Sequence, residues 1–295
     1  MVDGFINLYK EAGMTSHGAV ALVRRILGLR RIGHMGTLDP DAEGVLPLAV
    51  GRATRLISFV EGDVKEYEAE LILGVATATW DIFGAVVATD DASHLTECHV
   101  TAVLPRFVGE IWQEPPMFSA IKVEGRKLVD LARQGLEIAR ERRRVEIQRI
   151  DMLAWYEDGA RRIARLRVSC SKGTYIRSLC RDIGANLGVA ACMGRLTRTK
   201  SGPFELRDSV TLGDFKCAPA QHITAIENFL QSFPRVVVDE AAGARFLCGQ
   251  RIAMADLPAG EFAVFAGSRC LGLAVSRLGL IIPTRVLARE ENPKC

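Results

Sequence analysis

The sequence lacks the cysteine spacing of a zinc site or of a thioredoxin-like redox motif. Its eight cysteines include no Cys-x-x-Cys pair. His94, Cys98 and His99 lie close together, but they follow no recognised ligand spacing. We interpret these three residues as part of a polar surface loop, and the sequence predicts no metal site.

A long apolar run and a strong charge excess are also missing. The most apolar late stretch, 271–282, is interrupted by Arg277 and is too short to cross a bilayer. No signal peptide is visible at the N-terminus, so a cytoplasmic protein without membrane contact is expected. Lys and Arg outnumber Asp and Glu by only 38 to 35. An RNA-binding function would therefore need positive charge that is clustered locally.

Three common active-site motifs are absent. The sequence has no Gly-x₄-Gly-Lys-Ser/Thr phosphate loop, no His-Glu-x-x-His motif and no Gly-x-Ser-x-Gly nucleophile elbow. Residues 13–18 resemble an elbow, but the spacing is one residue too long. Ser16 is better interpreted as the N-cap of a helix that ends at Gly28.

The hydrophobic periodicity predicts an α+β fold. Residues 65–73 and 163–170 alternate between apolar and charged side chains, as in half-buried strands, whereas 176–187 has the period of an amphipathic helix. Residues 45–50 also predict a strand, at an edge or in an irregular stretch because of Pro47. Strands and helices do not follow a regular βαβ rhythm, which argues against a doubly wound fold.

The glycine-rich segment 33–44 is the first candidate for chemistry. Gly33 and Gly36 permit a tight loop that approaches a ligand closely. Pro40 disfavours the α region for Asp39, so the loop can present this carboxylate at a fixed angle. An Asp-Pro pair is also a common turn signature, and from local sequence alone both interpretations stand.

Three further residues are candidates with open alternatives. Arg177 falls in the first turn of the helix at 176–187, where the dipole disfavours a cation, so it is either a solvated arginine or the partner of an anion. Tyr67 is either a core tyrosine or a platform for a nucleobase. His34 fits a turn residue, a base-contacting wedge or a general acid–base.

The stretch 120–149 is unusually basic. A solvated charged helix is the default interpretation, but the arginines cluster beyond i,i+4 pairing, which favours RNA binding. The cations of this stretch that we select as RNA-binding candidates, together with Lys10 and His34, are Lys122, Arg126, Lys127, Arg142, Arg143 and Arg144.

Several ordered segments together resemble the TruB-type tRNA pseudouridine synthases. GHMGTLDPDAEGVLP at 33–47 is similar to the catalytic loop of that family, and GMTS at 13–16 to its N-terminal motif. KEY at 65–67 resembles the segment with the active-site tyrosine, and SKGTYIR at 171–177 the arginine motif. PPMFSAIK at 115–122, followed by GRKL at 125–128, resembles the start of the RNA-gripping thumb.

This resemblance implies a mechanism and a set of roles. Asp39 would be the nucleophile, Arg177 would hold it as a carboxylate, and Tyr67 would stack on the flipped uracil. His34 would help to fill the gap that the flipped base leaves in the RNA. The reaction is an isomerisation, so the resemblance implies neither a cofactor nor a metal.

The resemblance also implies an architecture and a partner. A mixed, mainly antiparallel sheet flanked by helices is expected in a catalytic domain at 1–232, with the thumb at about 118–149. A small β-rich, PUA-like RNA-binding domain is expected at 233–295. The implied substrate is the T-loop uridine at tRNA position 55, bound by a monomer with no obligate protein partner. Two alternatives are a guide-RNA-dependent synthase and a non-catalytic RNA-binding or RNA-folding protein.

Overall fold

The computed structural model describes residues 3–119, 121–123, 125–254 and 257–287. The strands up to residue 225 are β1 Gly4–Lys10, β2 Ile32–His34, β3 Glu43–Val50, β4 Val64–Leu73, β5 Val75–Thr77, β6 Val86–Thr89, β7 Gly109–Gln113, β8 Lys122–Val123, β9 Arg126–Lys127, β10 Arg143–Asp158, β11 Arg161–Ser171, β12 Ala191–Ser201, β13 Phe204–Glu205 and β14 Thr224–Ala225. The later strands are β15 Arg235–Val238, β16 Ile252–Ala253, β17 Gly260–Ala266, β18 Arg269–Arg277 and β19 Leu280–Val286.

Short helices connect and cover these strands. They are α1 Ser16–Leu27, α2 Ile57–Val60, α3 Glu97–Val103, α4 Leu128–Ala132, α5 Ile176–Leu187, α6 Leu212–Cys217, α7 Ile226–Phe229 and α8 Glu240–Leu247. Within the described residues, no helix is both long and apolar enough to span a membrane.

A ten-stranded sheet dominates the described chain. Its order is β14-β1-β3-β12-β4-β11-β10-β7, with β2 paired to β3 and β13 paired to β12. The contact between β3 and β12 is parallel, and the other pairs are antiparallel. The prediction of a mixed, mainly antiparallel sheet in an α+β fold is therefore confirmed.

One face of this sheet carries the main core, and α1 and α5 cover it. Val20 and Val23 of α1 and Leu179 and Ile183 of α5 are buried in the same cluster as the inward side chains of β3, β4 and β11. The alternation predicted for 65–73 is confirmed, because Tyr67 and every second residue after it up to Leu73 face this core. Helix packing on one sheet face holds the segments before and after each helix in fixed positions.

The C-terminal strands form a second, five-stranded sheet in the order β15-β17-β18-β19-β16. A small β-rich C-terminal part was predicted, and this part of the prediction is confirmed. Its apolar side chains also join a cluster with Phe5 of β1 and Val45 of β3, so the two sheets pack together. The Arg52 and Arg55 guanidinium groups donate to carbonyls of Leu287 and Val286 across the same junction.

Two local predictions need correction, and one is confirmed. The N-cap of α1 is Thr15, whose hydroxyl accepts from the Gly18 amide, and not Ser16. The helix ends at Gly28, which has φ +66°, as predicted. Pro47 lies in an interior strand and not at an edge. Pro47 has no N–H to donate. The sheet tolerates this because the Pro47 nitrogen faces the position where the neighbour of β3 changes from β12 to β2.

The basic stretch is not a long helix. It contains the β8–β9 hairpin, the five-residue helix α4 and an irregular return that leads into β10. Pairing of β10 with β7 and β11 overrides the helical interpretation of its arginines.

Candidate active site

A cavity of about 270 Å³ opens where the β2–β3 loop meets β4, β12 and the start of α5. The loop contributes residues 36–39, β4 contributes Lys65 and Tyr67, and the turn before α5 contributes 172–177. The structure thus brings Asp39, Tyr67 and Arg177 to one cavity, although they are far apart in the chain.

Asp39 and Arg177 form a two-point ion pair in this cavity. Arg177 Nη2 donates to Asp39 Oδ1 at 3.1 Å, and Arg177 Nε lies 3.0 Å from Asp39 Oδ2. The arginine side chain is 5% exposed and the aspartate side chain is 36% exposed. Arg177 is thus buried beside an anion, which confirms that interpretation of its place in the first helical turn. The carboxylate remains open to a ligand.

Other oxygens fix the remaining edge of the Arg177 guanidinium. Its Nη1 donates to the Thr79 carbonyl at 3.2 Å, and its Nη2 donates to the Phe118 carbonyl at 2.9 Å. Asp81 Oδ2 lies 3.6 Å from Nη1, so the guanidinium stands between two carboxylates. Sequence reasoning missed Asp81, because a single carboxylate between two short strands carries no local signal of its partner.

The pKa of Asp39 is raised above its ordinary value. Burial is the largest cause, and the Arg177 charge opposes it. The negative charge of Asp81 adds to the increase, while Lys10 lowers it. Because the ion pair opposes the effect of burial, the site retains a carboxylate in surroundings that would otherwise favour the neutral acid.

Buried donors hold the loop that presents Asp39. Ser16 Oγ accepts from the Leu38 amide at 2.8 Å and lies 2.9 Å from the Leu38 carbonyl, to which it donates. The Arg198 guanidinium donates to the carbonyls of Gly36, Thr37 and Val45. These bonds fix the residues immediately before Asp39. Ser16 is therefore a residue that positions the loop, not the N-cap that the sequence predicted.

Lys10 supports the same loop from the other side. Its amine donates to the carbonyls of Glu11, Met14 and Pro40 at 3.0, 2.7 and 2.9 Å, and its side chain is fully buried. Burial lowers the pKa of Lys10 to about 8. This geometry fits a support of the loop and not the RNA contact that the sequence analysis assigned to Lys10.

Gly36 and Gly44 each have a left-handed backbone and a neighbouring oxygen close to where a Cβ would lie. Gly36 has φ +87°, and an added Cβ would lie 3.2 Å from a carboxylate oxygen of Glu61. Gly44 has φ +105°, and an added Cβ would lie 2.3 Å from the Arg198 carbonyl, where β3 meets β12. Only glycine combines the left-handed backbone with this close approach.

Tyr67 forms part of the cavity wall and is 9% exposed. It lies on β4 between Val168 of β11 and Arg198 of β12. Burial raises the pKa of its hydroxyl, and the Arg198 charge opposes this effect. The position of Tyr67 is compatible with both interpretations, because its side chain packs in the core cluster and also borders the cavity.

Lys65 is a second buried amine that borders the cavity. Its Nζ donates to the Glu61 carbonyl and to Ser201 Oγ, each at 2.9 Å. Burial lowers its pKa to about 8. The motif at 65–67 indicated the segment of Lys65, but Lys65 itself was not selected as a candidate. The signal that could have identified it is its place on the inward face of an alternating strand.

Among the other predicted RNA-binding residues, those whose side chains the structure describes are not among the residues that line this cavity. His34 is partly exposed on β2, and burial of its ring lowers its pKa, with Arg198 and His17 adding to the effect. Arg126 is exposed and donates to Gln134. The exposed run at 142–144 leads into β10. The side chains of Lys122 and Lys127 lie outside the described part of the structure.

Comparison with known proteins decides the family. Residues 24–176 match the N-terminal domain of the TruB family pseudouridylate synthases. Residues 177–234 and 234–287 match two C-terminal domains of tRNA pseudouridylate synthase B and of pseudouridine synthase II TruB. The chain belongs to the TruB family. The resemblance that the sequence motifs indicated is thereby confirmed.

Individual TruB-family relatives cover most of the chain. A tRNA pseudouridine synthase B of Symbiobacterium thermophilum is 50% identical over 84% of this chain and 82% of the relative. The protein of the same name from Synechocystis is 42% identical over 92% of this chain and 94% of the relative.

Solved structures of larger assemblies share the fold. A chain of an H/ACA ribonucleoprotein bound to a substrate RNA containing 2′-deoxyuridine has a TM-score of 0.71 and 26% identity, covering 98% of this chain and 86% of that chain. A chain of an archaeal box H/ACA Nop10–Cbf5 complex has a TM-score of 0.69 and 27% identity, covering 98% and 87%.

Proposed function

We propose that this protein isomerises uridine to pseudouridine in tRNA, at position 55 of the T-loop, with Asp39 as the nucleophile. The observation that carries the proposal is the Asp39 carboxylate, held at two points by buried Arg177 and open to a cavity that Tyr67 borders. The relatives named tRNA pseudouridine synthase B support tRNA as the substrate.

The size of the cavity suits one extruded base. Its volume of about 270 Å³ is close to the lower end of small-ligand sites, roughly 300 Å³. An enzyme that acts on a base inside folded RNA must first flip that base out of the stack. The cavity therefore accommodates the base alone, while the rest of the RNA lies outside.

The chemistry needs one carboxylate and an ordered change of bonds. Asp39 attacks either the ribose C1′ or the uracil ring, and the bond between N1 and C1′ breaks. The uracil rotates in the cavity, a new bond joins its C5 to C1′, and the bond between Asp39 and the substrate breaks to return the free carboxylate. The proton on C5 leaves and N1 gains one, so the product is an isomer of the substrate.

Arg177 and Tyr67 assist Asp39 in this scheme. Arg177 keeps Asp39 ionised and orients it, because its Nη2 donates to one carboxylate oxygen and its Nε lies 3.0 Å from the other. Tyr67 stacks on the flipped uracil and takes part in the later proton transfer. His34 fills part of the space that the base has left in the RNA.

The remaining parts of the protein grip the tRNA. Residues 1–232 act as the catalytic domain, the thumb at about 118–149 holds the T-stem-loop, and 233–295 act as a PUA-like RNA-binding domain. The exposed arginines Arg126, Arg142, Arg143 and Arg144 contact phosphates, together with Lys122 and Lys127. The protein works in the cytoplasm as a monomer and needs no protein partner.

The test is to incubate the purified protein, without additives, with an unmodified tRNA transcript and to map pseudouridine at single-nucleotide resolution. We expect conversion at the T-loop uridine. Asp39→Asn should retain the fold and tRNA binding but lose turnover, because this near-isostere removes only the charge. Asp91→Asn is the control, since Asp91 is an exposed carboxylate that is not among the charges acting on Asp39.

Each outcome has a separate meaning. Normal turnover by Asp39→Asn would refute Asp39 as the nucleophile. Tight tRNA binding without conversion by the wild-type protein would refute the stand-alone enzyme and favour the RNA-folding alternative. Conversion only after addition of a guide RNA would favour the guided mode of the ribonucleoprotein whose fold the chain shares.

A further inference from the structure

The indole of Trp80 contacts two arginines close to the Asp39–Arg177 pair. The guanidinium carbon of Arg181 is 3.9 Å from the centroid of the indole ring, and that of Arg140 is 5.2 Å away. Both distances fall within the range of cation–π attraction, which is about 6 Å. The indole is partly buried, so the contacts are less screened by water than at an open surface.

The two arginines come from different segments. Arg181 is on α5, one helical turn after Arg177. Arg140 lies in the irregular return between α4 and β10, at the end of the predicted thumb. Glu114, which follows β7, lies 2.5 Å from Arg140 Nη2 and 3.8 Å from Arg181 Nη1. The indole and the carboxylate together join the 79–81 turn, α5 and the thumb exit.

The backbone of Trp80 is in an unusual conformation. Its φ is +63°, in the left-handed region that residues with a Cβ rarely adopt. The Trp80 carbonyl accepts from the Met193 amide at 3.0 Å, and its amide donates to the Thr77 carbonyl at 3.2 Å. Such a conformation persists only where surrounding contacts hold it, and it is frequent near active sites.

The neighbours of Trp80 act directly on Arg177. The Thr79 carbonyl accepts from Arg177 Nη1, and a carboxylate oxygen of Asp81 lies 3.6 Å from the same nitrogen. Thr79 and Asp81 line a second cavity, of about 240 Å³, that also borders Asp39. Trp80 is not among the described residues that line either cavity. Its side chain supports the turn and does not touch a ligand there.

We propose that Trp80 is a positioning residue, which holds the 79–81 turn against Arg177 and couples the thumb exit at Arg140 to the geometry of Asp39. This inference rests on the proposed function for its effect on turnover. The two arginines packed against the ring fix the indole, and the fixed turn then presents two oxygens to Arg177. A displaced thumb exit would remove one of the two arginines and loosen the turn.

The test compares two substitutions of Trp80, one that removes the aromatic ring and one that keeps an aromatic ring. Trp80→Leu retains apolar volume but removes the π face, whereas Trp80→Phe retains an aromatic face. With saturating tRNA, we expect Trp80→Leu to lower the single-turnover rate of pseudouridine formation about tenfold, since small misplacements of catalytic groups slow chemistry strongly. The Kd for tRNA should stay within about twofold, and Trp80→Phe should recover most of the rate.

A second measurement needs no RNA. The pKa of Asp39, followed by carbon NMR of labelled carboxyl groups, should rise in Trp80→Leu, because a loosened Arg177 stabilises the carboxylate less. The acid limb of the rate profile should move to higher pH in the same variant. Trp112→Leu is the matched control, because Trp112 is 63% exposed on β7 and lies outside the cluster.

The outcomes separate this inference from the proposed function. A wild-type protein that makes no pseudouridine refutes the proposed function, and the NMR measurement still decides the role of Trp80. An unchanged rate and an unchanged Asp39 pKa in Trp80→Leu would overturn the inference. If Trp80→Leu does not fold, Arg181→Gln replaces it, since glutamine retains a polar side chain but removes the cation from the indole. A wild-type rate and pKa in Arg181→Gln would overturn the inference equally.

Discussion

Two groups of cations in this protein carry the same charge but differ in their burial and in the acceptors that they contact. The buried cations, Lys10, Lys65, Arg177 and Arg198, are each 4% exposed or less. The exposed arginines, Arg126, Arg142, Arg143 and Arg144, lie on the thumb and at the start of β10. The first group lines the Asp39 cavity or supports the loop that borders it, and the second is exposed to solvent.

The difference lies in the acceptors that each group finds. The buried cations donate mainly to backbone carbonyls of the catalytic loop and its surroundings, so they fix geometry. The exposed arginines have solvent or flexible side chains as partners. Arg144, for example, lies 3.2 Å from Glu110, and both side chains are more than 60% exposed. A surface pair of this kind contributes little stability and leaves the cation available to a phosphate.

Removal of a buried cation should cause the largest change. Lys10→Met retains the length of the side chain but removes the amine that donates to three carbonyls. We expect the free energy of unfolding, measured by urea denaturation, to fall by about 2 kcal/mol, because buried carbonyls lose a donor. Lys216→Met, at an exposed position on α6, is the control and should leave stability unchanged. Equal stability of the two variants would refute a structural role for Lys10.

Removal of exposed arginines should leave stability unchanged and weaken tRNA binding instead. In the triple variant Arg142→Ala, Arg143→Ala and Arg144→Ala, we expect a higher Kd for tRNA. The plot of log affinity against log salt should also be flatter, by about one unit of slope for each phosphate that an arginine no longer neutralises. The Tm should change little, since surface side chains contribute little to folding. An unchanged salt slope would return this run to an ordinary solvated surface.

The sequence singled out the candidate residues of the site better than the residues that support them. Asp39, Tyr67 and Arg177 were found from the loop, the strand pattern and the helix dipole, and the structure brings all three to one cavity. The pairing of Asp39 with Arg177 spans 138 residues of sequence. Only the resemblance to a family predicted this pairing, because local patterns contain no information on contacts at that separation.

The supporting residues could not be predicted because their faces depend on tertiary structure. Arg198 is buried on β12, but a register shift between Met193 and Leu196 breaks the alternation that would have assigned it to the inner face. Lys10 was predicted to bind RNA, and lysines are exposed in most proteins, so nothing in its local sequence indicated burial. Its burial follows from the packing of the loop against β1 and α1, which no local pattern predicts.

The smallest predicted effect separates the two carboxylates that border Arg177. Asp39 must be ionised to attack, so turnover should fall as the pH drops through its raised pKa. The negative charge of Asp81 contributes to that increase. In Asp81→Asn the Asp39 pKa should therefore decrease, and the acid limb of the single-turnover rate should move to lower pH.

The shift should be visible even though the plateau rate also falls, because Arg177 loses one of its two anionic neighbours. The control is Asp91→Asn, which removes an exposed carboxylate that is not among the charges acting on Asp39. An acid limb that stays in place or moves to higher pH would mean that Asp81 acts on Arg177 through geometry and not through charge. Asp81 would then support the geometry of the site, as the buried cations do. The raised pKa of Asp39 would be explained by its burial, which the Arg177 charge opposes.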